Sequence, residues 1–397
     1  MKVHYKDLLN FLSDTPSEDL ISERLFQLGH EHELNNGIFD IEITPNRGDC
    51  LSLLGLSRDL NIFFGNKNNL EIYDGPIDEL NLDFRNKSKI DCPKISFLEI
   101  EIANKSKNYK PYLESYFTNL NQKKINFFTD ISNYLSYEIG QPTHCYDRKK
   151  IKGRLTFQSL KINTKFTTLL KTDISLSEEN CVFLDNNEII NLAGVMGGLS
   201  TSCSDDTETA LIECAYFKPE SIMGKSVKYN LFSDAAYKFE RGVDISSQIF
   251  TLRRFIKIVS DHSEIKKISI KTFDDYEPIN DGIKIDVNKI NKILGTEISE
   301  QDYLHYLDKL GFEIRDKIYP PEFRSDIQHQ NDLSEEVARL MGYDNISSKP
   351  IYIESKNQNN TISKIDILRS FLTKNGFTEV VNFPFVKEKS IDSISID

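Results

Sequence analysis

The chain has 397 residues, enough for roughly two to four domains of about 100–200 residues each. Hydrophobic residues make up 39% and charged residues 28%, as in globular proteins, and no run approaches the ~20 apolar residues of a membrane helix. The net charge of −12 argues against a protein that coats nucleic acid with its whole surface. The first residues lack the apolar core of a signal peptide, so we expect a cytoplasmic protein.

The first predicted elements are a helix, a strand and a second helix. Thr15-Pro16-Ser17-Glu18 has the pattern of a capping box, and leucine and isoleucine follow at helical spacing as far as Gly29. Residues 39–43 alternate between apolar and polar side chains, which predicts a half-buried strand. Asp49 is placed to cap a helix that begins near Leu51.

The middle and the later part of the chain differ in pattern. Short apolar runs between turn residues predict strands joined by tight turns over about 93–262. From about 280, the apolar residues at 283–287 suggest a strand, and a short helix ends at Gly295. Ser299 can cap a further helix that ends at Gly311.

Four acidic residues form the strongest pattern for metal chemistry. Asp332 looks like the N-cap of a helix, and Glu335 and Glu336 follow three and four residues later, with Asp326 upstream. Four oxygen donors would suit a hard cation such as Mg²⁺. The alternative is that these acids only favour the positive end of the helix.

Three other stretches could line a ligand site. His144 lies in a Gly/Pro turn of sequence GQPTHCYD (140–147), where it could act as a base, although most lone histidines do no chemistry. The small residues 193–198 would let a ligand approach the backbone or simply form a tight turn. Glu213 interrupts the apolar run 211–215, and either a structural hydrogen bond or a ligand hydroxyl could satisfy it.

These strings, taken together, resemble one family, the β subunit of bacterial phenylalanyl-tRNA synthetase. Six segments carry the resemblance and occur in the family's order: IEITPNRGDCLSLLGLSRDL (41–60), DISNYLSYEIGQPTHCYD (130–147), NLAGVMGG (191–198), LIECAYF (211–217), AAYKFERGVD (235–244) and FRSDIQHQNDLSEEVARLMGYD (323–344). Several matches in order are far more specific than any one of them.

The resemblance implies an α+β, multidomain fold. Its expected parts are an N-terminal module at 1–92 and an editing-like, mixed-sheet module of tRNA synthetases at 93–279. A small helix-rich module with the acidic metal motif follows at 280–349, and 350–397 would begin a truncated catalytic-like α/β module. It also implies that the chain lacks the family's OB-like tRNA-binding module, between the first helix and the strand at 38–44, and is cut short.

The resemblance further implies a function in a complex. The β subunit would join an α subunit as an α2β2 tetramer, in which the α subunit binds ATP and, with Mg²⁺, attaches phenylalanine to tRNA(Phe). The β subunit would contact the tRNA and hydrolyse mischarged tyrosyl-tRNA. Two alternatives stay open: a non-catalytic RNA-binding or assembly protein, and a free-standing editing hydrolase.

Particular residues match the family's functional positions. His144 matches the editing-site histidine, expected to orient or activate water, and Glu213 matches the acid that would recognise the tyrosine hydroxyl. The other matches are the pocket-lining Asn133, Gly194, Ser233 and Ala235 and the Mg²⁺-associated Asp326, Asp332, Glu335 and Glu336.

Overall fold

The computed structural model describes residues 1–67, 70–104, 108–161, 163–278, 281–348, 350 and 363–381. The chain divides into two compact units, Met1–Ser347 and Ser348–Asp397. Among the described residues, no helix has both the length and the apolar character needed to span a bilayer. The fold is mixed, with helices packed against several β-sheets.

The N-terminal part of the larger unit packs three helices on a small antiparallel sheet of strand order β1-β3-β2. Its elements are β1 (Lys2–His4), α1 (Tyr5–Leu9), α2 (Glu18–Gln27), β2 (Glu31–Asn35), β3 (Ile38–Glu42) and α3 (Leu53–Phe64). Asn36 and Gly37, with φ of 52° and 75°, form the turn between β2 and β3. Two consecutive positive φ values are typical of a type I′ turn, so β2 and β3 form a tight hairpin.

The predicted helices and strand of this part are present, but their caps differ from the prediction. Ser17, not Thr15, caps α2 by accepting a hydrogen bond from the Leu20 amide. Ser52, not Asp49, caps α3. Neighbouring polar residues compete for a cap, and pattern alone does not decide which of them wins.

The central region contains two five-stranded sheets and six helices. Its elements are β4 (Asp78–Glu79), β5 (Phe84–Asn86), β6 (Lys94–Ile102), α4 (Pro111–Asn119), α5 (Phe127–Ile139), β7 (Thr143–Asp147), β8 (Leu155–Lys161), β9 (Thr164–Thr167), β10 (Asp173–Leu176), β11 (Glu179–Asp185), β12 (Glu188–Leu192), β13 (Met196–Gly197), β14 (Thr209–Tyr216), α6 (Pro219–Ile222), α7 (Lys225–Tyr229), α8 (Asp234–Phe239), α9 (Gln248–His262) and β15 (Ile265–Asp274).

The two sheets have strand orders β4-β15-β6-β14-β7 and β13-β12-β11-β8-β5, and β9 pairs with β10 as a separate hairpin. Central strand β14 shows how they pack, because successive side chains of a strand point to opposite faces. Ile212 and Cys214 belong to the same core as residues of α5 and α9. Leu211 and Ala215 belong to the core shared with the second sheet. Glu213 therefore points toward the space between the sheets.

The C-terminal part of the larger unit is a small helical module. Its elements are α10 (Val287–Leu294), α11 (Glu300–Lys309), β16 (Glu313–Ile314), β17 (Ile318–Tyr319) and α12 (Gln330–Met341). Ser299 caps α11 as predicted. The strand suggested at 283–287 is wrong: Ile283 forms only an isolated bridge, and Asp286 caps α10, which begins at Val287.

The smaller unit contains α13 (Lys364–Lys374), whose N-cap is Ser363. The expected catalytic-like module at 350–397 lies largely outside the described residues.

Candidate functional site

A cavity of about 580 Å³ opens in the central region beside β7 and β14. It is lined by all six residues that the sequence predicts for the editing site: Asn133, His144, Gly194, Glu213, Ser233 and Ala235. These residues come from α5, β7, β14, α8 and the loops near them, so the folded chain brings together five distant segments. The structure thus brings the six residues together, while the catalytic and binding roles assigned to them stay predictions.

Glu213 is a buried acid without a positively charged partner among the described residues. Its side chain is 4% exposed, and its Oε2 accepts hydrogen bonds from the Tyr146 hydroxyl at 2.6 Å and from Asn191 Nδ2 at 3.2 Å. Burial raises the pKa of Glu213 to about 8, against the opposing effect of these two hydrogen bonds. The side chain is therefore mainly a neutral carboxylic acid at pH 7.

His144 lies directly opposite Glu213, since the two residues are paired across β7 and β14. Burial lowers the pKa of His144 to about 4, so the ring is neutral at physiological pH. Its Nε2 is shielded and has no hydrogen-bond partner among the described residues. A neutral imidazole with an unused nitrogen can hold a water molecule or accept a proton from it.

Gly197 explains how the His144 ring fits at this edge of the cavity. A Cβ atom built on Gly197 would overlap the His144 ring and lie 2.8 Å from Nε2. The missing side chain therefore leaves the space that the imidazole occupies.

Two other predicted cavity residues, Ser233 and Gly194, also determine the local backbone conformation. The Ser233 hydroxyl caps α8 by accepting from the Ala236 amide at 3.1 Å, and it donates to the Val195 carbonyl at 2.8 Å. Gly194 has a φ of +69°, and a Cβ there would lie 2.9 Å from Ile222 Cδ1. Ser233 and Gly194 thus fix the cavity wall, which limits how freely either could change.

Two further residues next to Glu213 were not predicted from the sequence, Tyr146 and Asn191, and of the two Asn191 lines the cavity. Both contact Glu213 directly, and Asn191 Nδ2 also donates to the Tyr146 hydroxyl at 2.9 Å. The signal for Tyr146 was available, because it lies two residues after His144 and the period of a strand places both on one face.

The four acids predicted to share an ion do not converge. Asp332 is the third residue of α12, not its N-cap, and its carboxylate accepts from the backbone amides of His329 at 2.7 Å and Gln328 at 2.8 Å. Glu335 is exposed, whereas the neighbouring Glu336 is buried. Successive helix residues point about 100° apart, so these two glutamates cannot serve one site together.

Two of the four acidic side chains, Asp326 and Glu336, are already paired with arginines. Arg324 forms two hydrogen bonds with Asp326, both 2.9 Å, and two with Glu336, at 2.7 and 2.8 Å. Arg339 donates to Glu336 as well. Burial alone would raise the pKa of Glu336, but the hydrogen bonds from Arg324 and the charge of Arg339 lower it to about 2. The four carboxylates do not fit a shared Mg²⁺ site within this chain.

The ion pairs of Arg339 extend from α12 into the N-terminal part of the larger unit. Arg339 on α12 donates to Asp59 on α3, with a distance of 2.7 Å from Nη1 to Oδ2. Asp59 also accepts two hydrogen bonds of 2.9 Å from Arg47 and one of 3.1 Å from His30. Against the cost of burial, Arg339 and Arg47 hold the pKa of Asp59 well below its usual value. We call these residues, together with Arg324, Glu336 and Asp326, the arginine network.

Among the described residues, one group of three potential metal ligands lies close together: His30, Cys50 and Asp59, whose ligand atoms are within 4.8 Å of one another. Arg47 and Arg339 already neutralise Asp59, and burial raises the pKa of the Cys50 thiol well above its usual value. A protonated thiol is a poor ligand, and two arginines would repel a cation. His30 and Asp59 therefore belong to the arginine network, and Cys50 lies beside it, with its Sγ 2.8 Å from Arg47 Nη2.

Two family models match the chain. Residues 91–264 match the B3/4 domain, and residues 283–343 match the tRNA synthetase B5 domain. The first range contains the six predicted cavity residues, and the second contains the four predicted metal-associated acids.

Relatives with similar sequences are described as β subunits of phenylalanine–tRNA ligase. The phenylalanine–tRNA ligase β subunit of Fusobacterium nucleatum is 30% identical over 368 residues, which cover 89% of this chain and 46% of that protein. The β subunit of Clostridium tetani is 31% identical over 388 residues, covering 92% of this chain and 48% of that protein. The chain belongs to the phenylalanine–tRNA ligase β-subunit family. It spans about half the length of the relatives it matches.

A solved structure of the same family is also similar. An N-terminal fragment of the phenylalanyl-tRNA synthetase β subunit from Pyrococcus horikoshii matches with 16% identity and a TM-score of 0.45. The match covers 87% of this chain and 99% of the fragment. Within the β-subunit family, the cavity of this chain lies in its B3/4 domain, and the arginine network connects its B5 domain to the N-terminal residues.

Proposed function

We propose that the chain works as part of a phenylalanine–tRNA ligase in the cytoplasm. A separate α subunit would bind ATP and Mg²⁺ and attach phenylalanine to tRNA(Phe), in an α2β2 assembly with this chain. The names of the relatives, with the B3/4 and B5 matches, support this role. In this proposal the β chain supplies tRNA contacts and a second, hydrolytic site.

We further propose that the B3/4 cavity hydrolyses tyrosyl-tRNA. The observation that carries this proposal is the buried carboxyl of Glu213, which has no cationic partner among the described residues and lines a cavity of about 580 Å³. A ligand hydroxyl could form a hydrogen bond with Oε1 of this carboxyl, the oxygen that Tyr146 and Asn191 do not contact, whereas a phenylalanyl ring would leave Oε1 unpaired. An unpaired buried polar group costs about 1–3 kcal/mol, so the cavity would favour tyrosine over phenylalanine.

His144 would act on the reacting end of the substrate. Its neutral ring and unpartnered Nε2 could hold the attacking water and take a proton from it. General acid–base assistance of this kind contributes about 10²–10⁴-fold to a rate. His144 would therefore govern the rate of hydrolysis, and Glu213 the choice of amino acid.

The test is deacylation of tyrosyl-tRNA and phenylalanyl-tRNA by this chain assembled with its α subunit. We expect His144→Ala to slow clearance of tyrosyl-tRNA by at least about 10²-fold. Glu213→Ala should instead reduce the preference for tyrosyl-tRNA over phenylalanyl-tRNA. Glu188→Ala, an exposed acid on β12 that does not line the cavity, is the matched control and should leave both rates unchanged.

The outcomes separate this proposal from its alternatives. Clearance of tyrosyl-tRNA by both cavity variants at the parent's rate would refute the site assignment. Clearance by the purified chain without its partner would favour a free-standing hydrolase. Assembly with α and tRNA binding, with no hydrolysis by the parent, would favour a non-catalytic role.

A further inference from the structure

Tyr146 places a tyrosine hydroxyl of the protein itself on the acid that would read a tyrosine substrate. Tyr146 is fully buried on β7, and its hydroxyl donates to Glu213 Oε2 at 2.6 Å. Asn191 Nδ2 completes a closed set of hydrogen bonds, at 2.9 Å from the Tyr146 hydroxyl and 3.2 Å from Oε2. The three side chains hold one another in a single arrangement.

The hydrogen-bonding capacity of the carboxyl is divided unequally. Glu213 Oε2 receives two donors, and the Tyr146 hydroxyl spends its only proton on it. Glu213 Oε1 accepts no hydrogen bond from any described residue, while Glu213 lines the cavity. Only Oε1 is therefore available to a ligand.

We propose that Tyr146 is a positioning residue that determines specificity, because its hydroxyl occupies Glu213 Oε2 and reserves Oε1 for one phenolic hydroxyl of the ligand. This inference rests on the proposed hydrolysis of tyrosyl-tRNA. It adds that selection depends on the orientation of the carboxyl, and that Tyr146 and Asn191 impose that orientation.

The arrangement also fixes where the proton of the neutral acid lies. Since two donors point at Oε2, the proton of the carboxylic acid is placed on Oε1, facing the cavity. Oε1 then donates to the phenolic oxygen of a tyrosyl group, and a phenylalanyl group offers no acceptor at that point. Without the Tyr146 hydroxyl, the proton could shift to Oε2 and the carboxyl could rotate.

The experiment compares Tyr146→Phe with the parent, each assembled with the α subunit, by deacylation of tyrosyl-tRNA and phenylalanyl-tRNA across pH 6–9. Tyr146→Phe should reduce the ratio of kcat/KM for the two substrates about tenfold, mostly through KM for tyrosyl-tRNA. It should also move the pH dependence of that ratio upward, because the lost hydrogen bond favours the ionised carboxyl. A purely structural role would not move the pH dependence.

Two further variants make the result decisive. Tyr134→Phe removes a comparable buried hydroxyl, bound to Glu138 at 2.8 Å, outside the cavity lining, and should leave the ratio unchanged. In a Glu213→Gln background, Tyr146→Phe should have little additional effect, because both changes disrupt one interaction.

The results separate a failure of this inference from a failure of the proposed function. If the parent discriminates and Tyr146→Phe keeps the parent's ratio and pH dependence, this inference is overturned and the proposed hydrolysis stands. If the parent clears both substrates equally, or neither, the proposed function and this inference fail together. Equal losses for Tyr134→Phe and Tyr146→Phe would also overturn the inference.

Discussion

Glu213 and Glu336 are both buried glutamates, 4% and 2% exposed. At neutral pH, however, Glu213 is mainly protonated and Glu336 is ionised. Glu213 has a hydroxyl and an amide as partners, and burial raises its pKa to about 8. Glu336 also loses solvation, but Arg324 and Arg339 overcome that loss and its pKa falls to about 2. The partners decide the outcome, and burial alone does not.

The difference separates a cavity from a structural connection. A neutral acid facing open space has an unused hydrogen-bonding position, which a ligand can fill. An acid between two arginines has no such position. Removing one of the partners would leave a buried charge that is no longer fully compensated. In this chain the first case lies in the B3/4 domain, and the second ties the B5 domain to α3.

The largest expected effect comes from breaking the arginine network. Arg339→Met removes the cation shared by Glu336 and Asp59 and should lower the free energy of unfolding by about 3–5 kcal/mol. Arg154→Met is the control, since Arg154 pairs with Asp83 on the surface, where a salt bridge contributes about 0–1 kcal/mol. Chemical denaturation measures both. Equal, small losses would show that the network is not a structural connection.

The next effect is a pair of opposite pH dependences. Glu213 binds its proton more tightly when folded, so its contribution to stability falls as pH rises from about 4.5 to about 8. Glu336 holds its proton less tightly when folded, so its contribution is present above pH 4.5 and is lost as pH falls toward about 2. Each effect should be about 3–5 kcal/mol across its window, and the effect of Glu213 should be the larger because its pKa shift is larger.

Unfolding of Glu213→Gln and Glu336→Gln, measured against the parent at several pH values, checks this pair. Glu213→Gln should gain on the parent toward alkaline pH. The disadvantage of Glu336→Gln should shrink below pH 4.5. Parallel profiles for the two variants would contradict the contrast between the two acids.

A smaller effect is expected for Asp332→Ala. The Asp332 carboxylate accepts the amides of His329 and Gln328 at the start of α12, so its removal should cost about 1 kcal/mol through the lost capping interaction. Asp332→Asn keeps one acceptor and should cost less. A thermal melt resolves the difference, and an unchanged melting temperature for both variants would refute the capping role.

The smallest effect is expected for Glu335→Gln. Glu335 is exposed, in contrast to the adjacent Glu336, so the change should alter stability by less than about 0.5 kcal/mol. Glu336→Gln is its matched partner, one residue along the same helix. A loss as large as that of Glu336→Gln would show that Glu335 has a partner in the folded chain.

Local sequence patterns predicted much of the fold but not the long-range pairing. Helical spacing and the Ser299 cap gave α11 correctly, and alternation gave the strand near residues 39–43. The same spacing rule failed for the four acids. It registers that Asp332 and Glu336 are one turn apart, but not that Arg324 and the backbone amides already occupy them.

The candidate cavity shows the same limit. Its residues come from α5, β7, β14, α8 and intervening loops, and only the pairing of β7 with β14 puts His144 opposite Glu213. Nothing local in the sequence contains that pairing, so the six residues could be grouped only through the family resemblance. Tyr146 was accessible from the strand period, whereas its hydrogen bond to Glu213 required the folded sheet.

The contrast between the two buried glutamates can be measured directly by titrating their carboxyl groups. Carbon-13 NMR of the full chain with labelled glutamate, assigned through Glu213→Gln and Glu336→Gln, reports the ionisation of each side chain. We expect Glu213 to titrate near pH 8 and Glu336 to stay ionised at every pH above about 4 at which the chain remains folded. Titration of both groups near pH 4.5 would contradict this expectation.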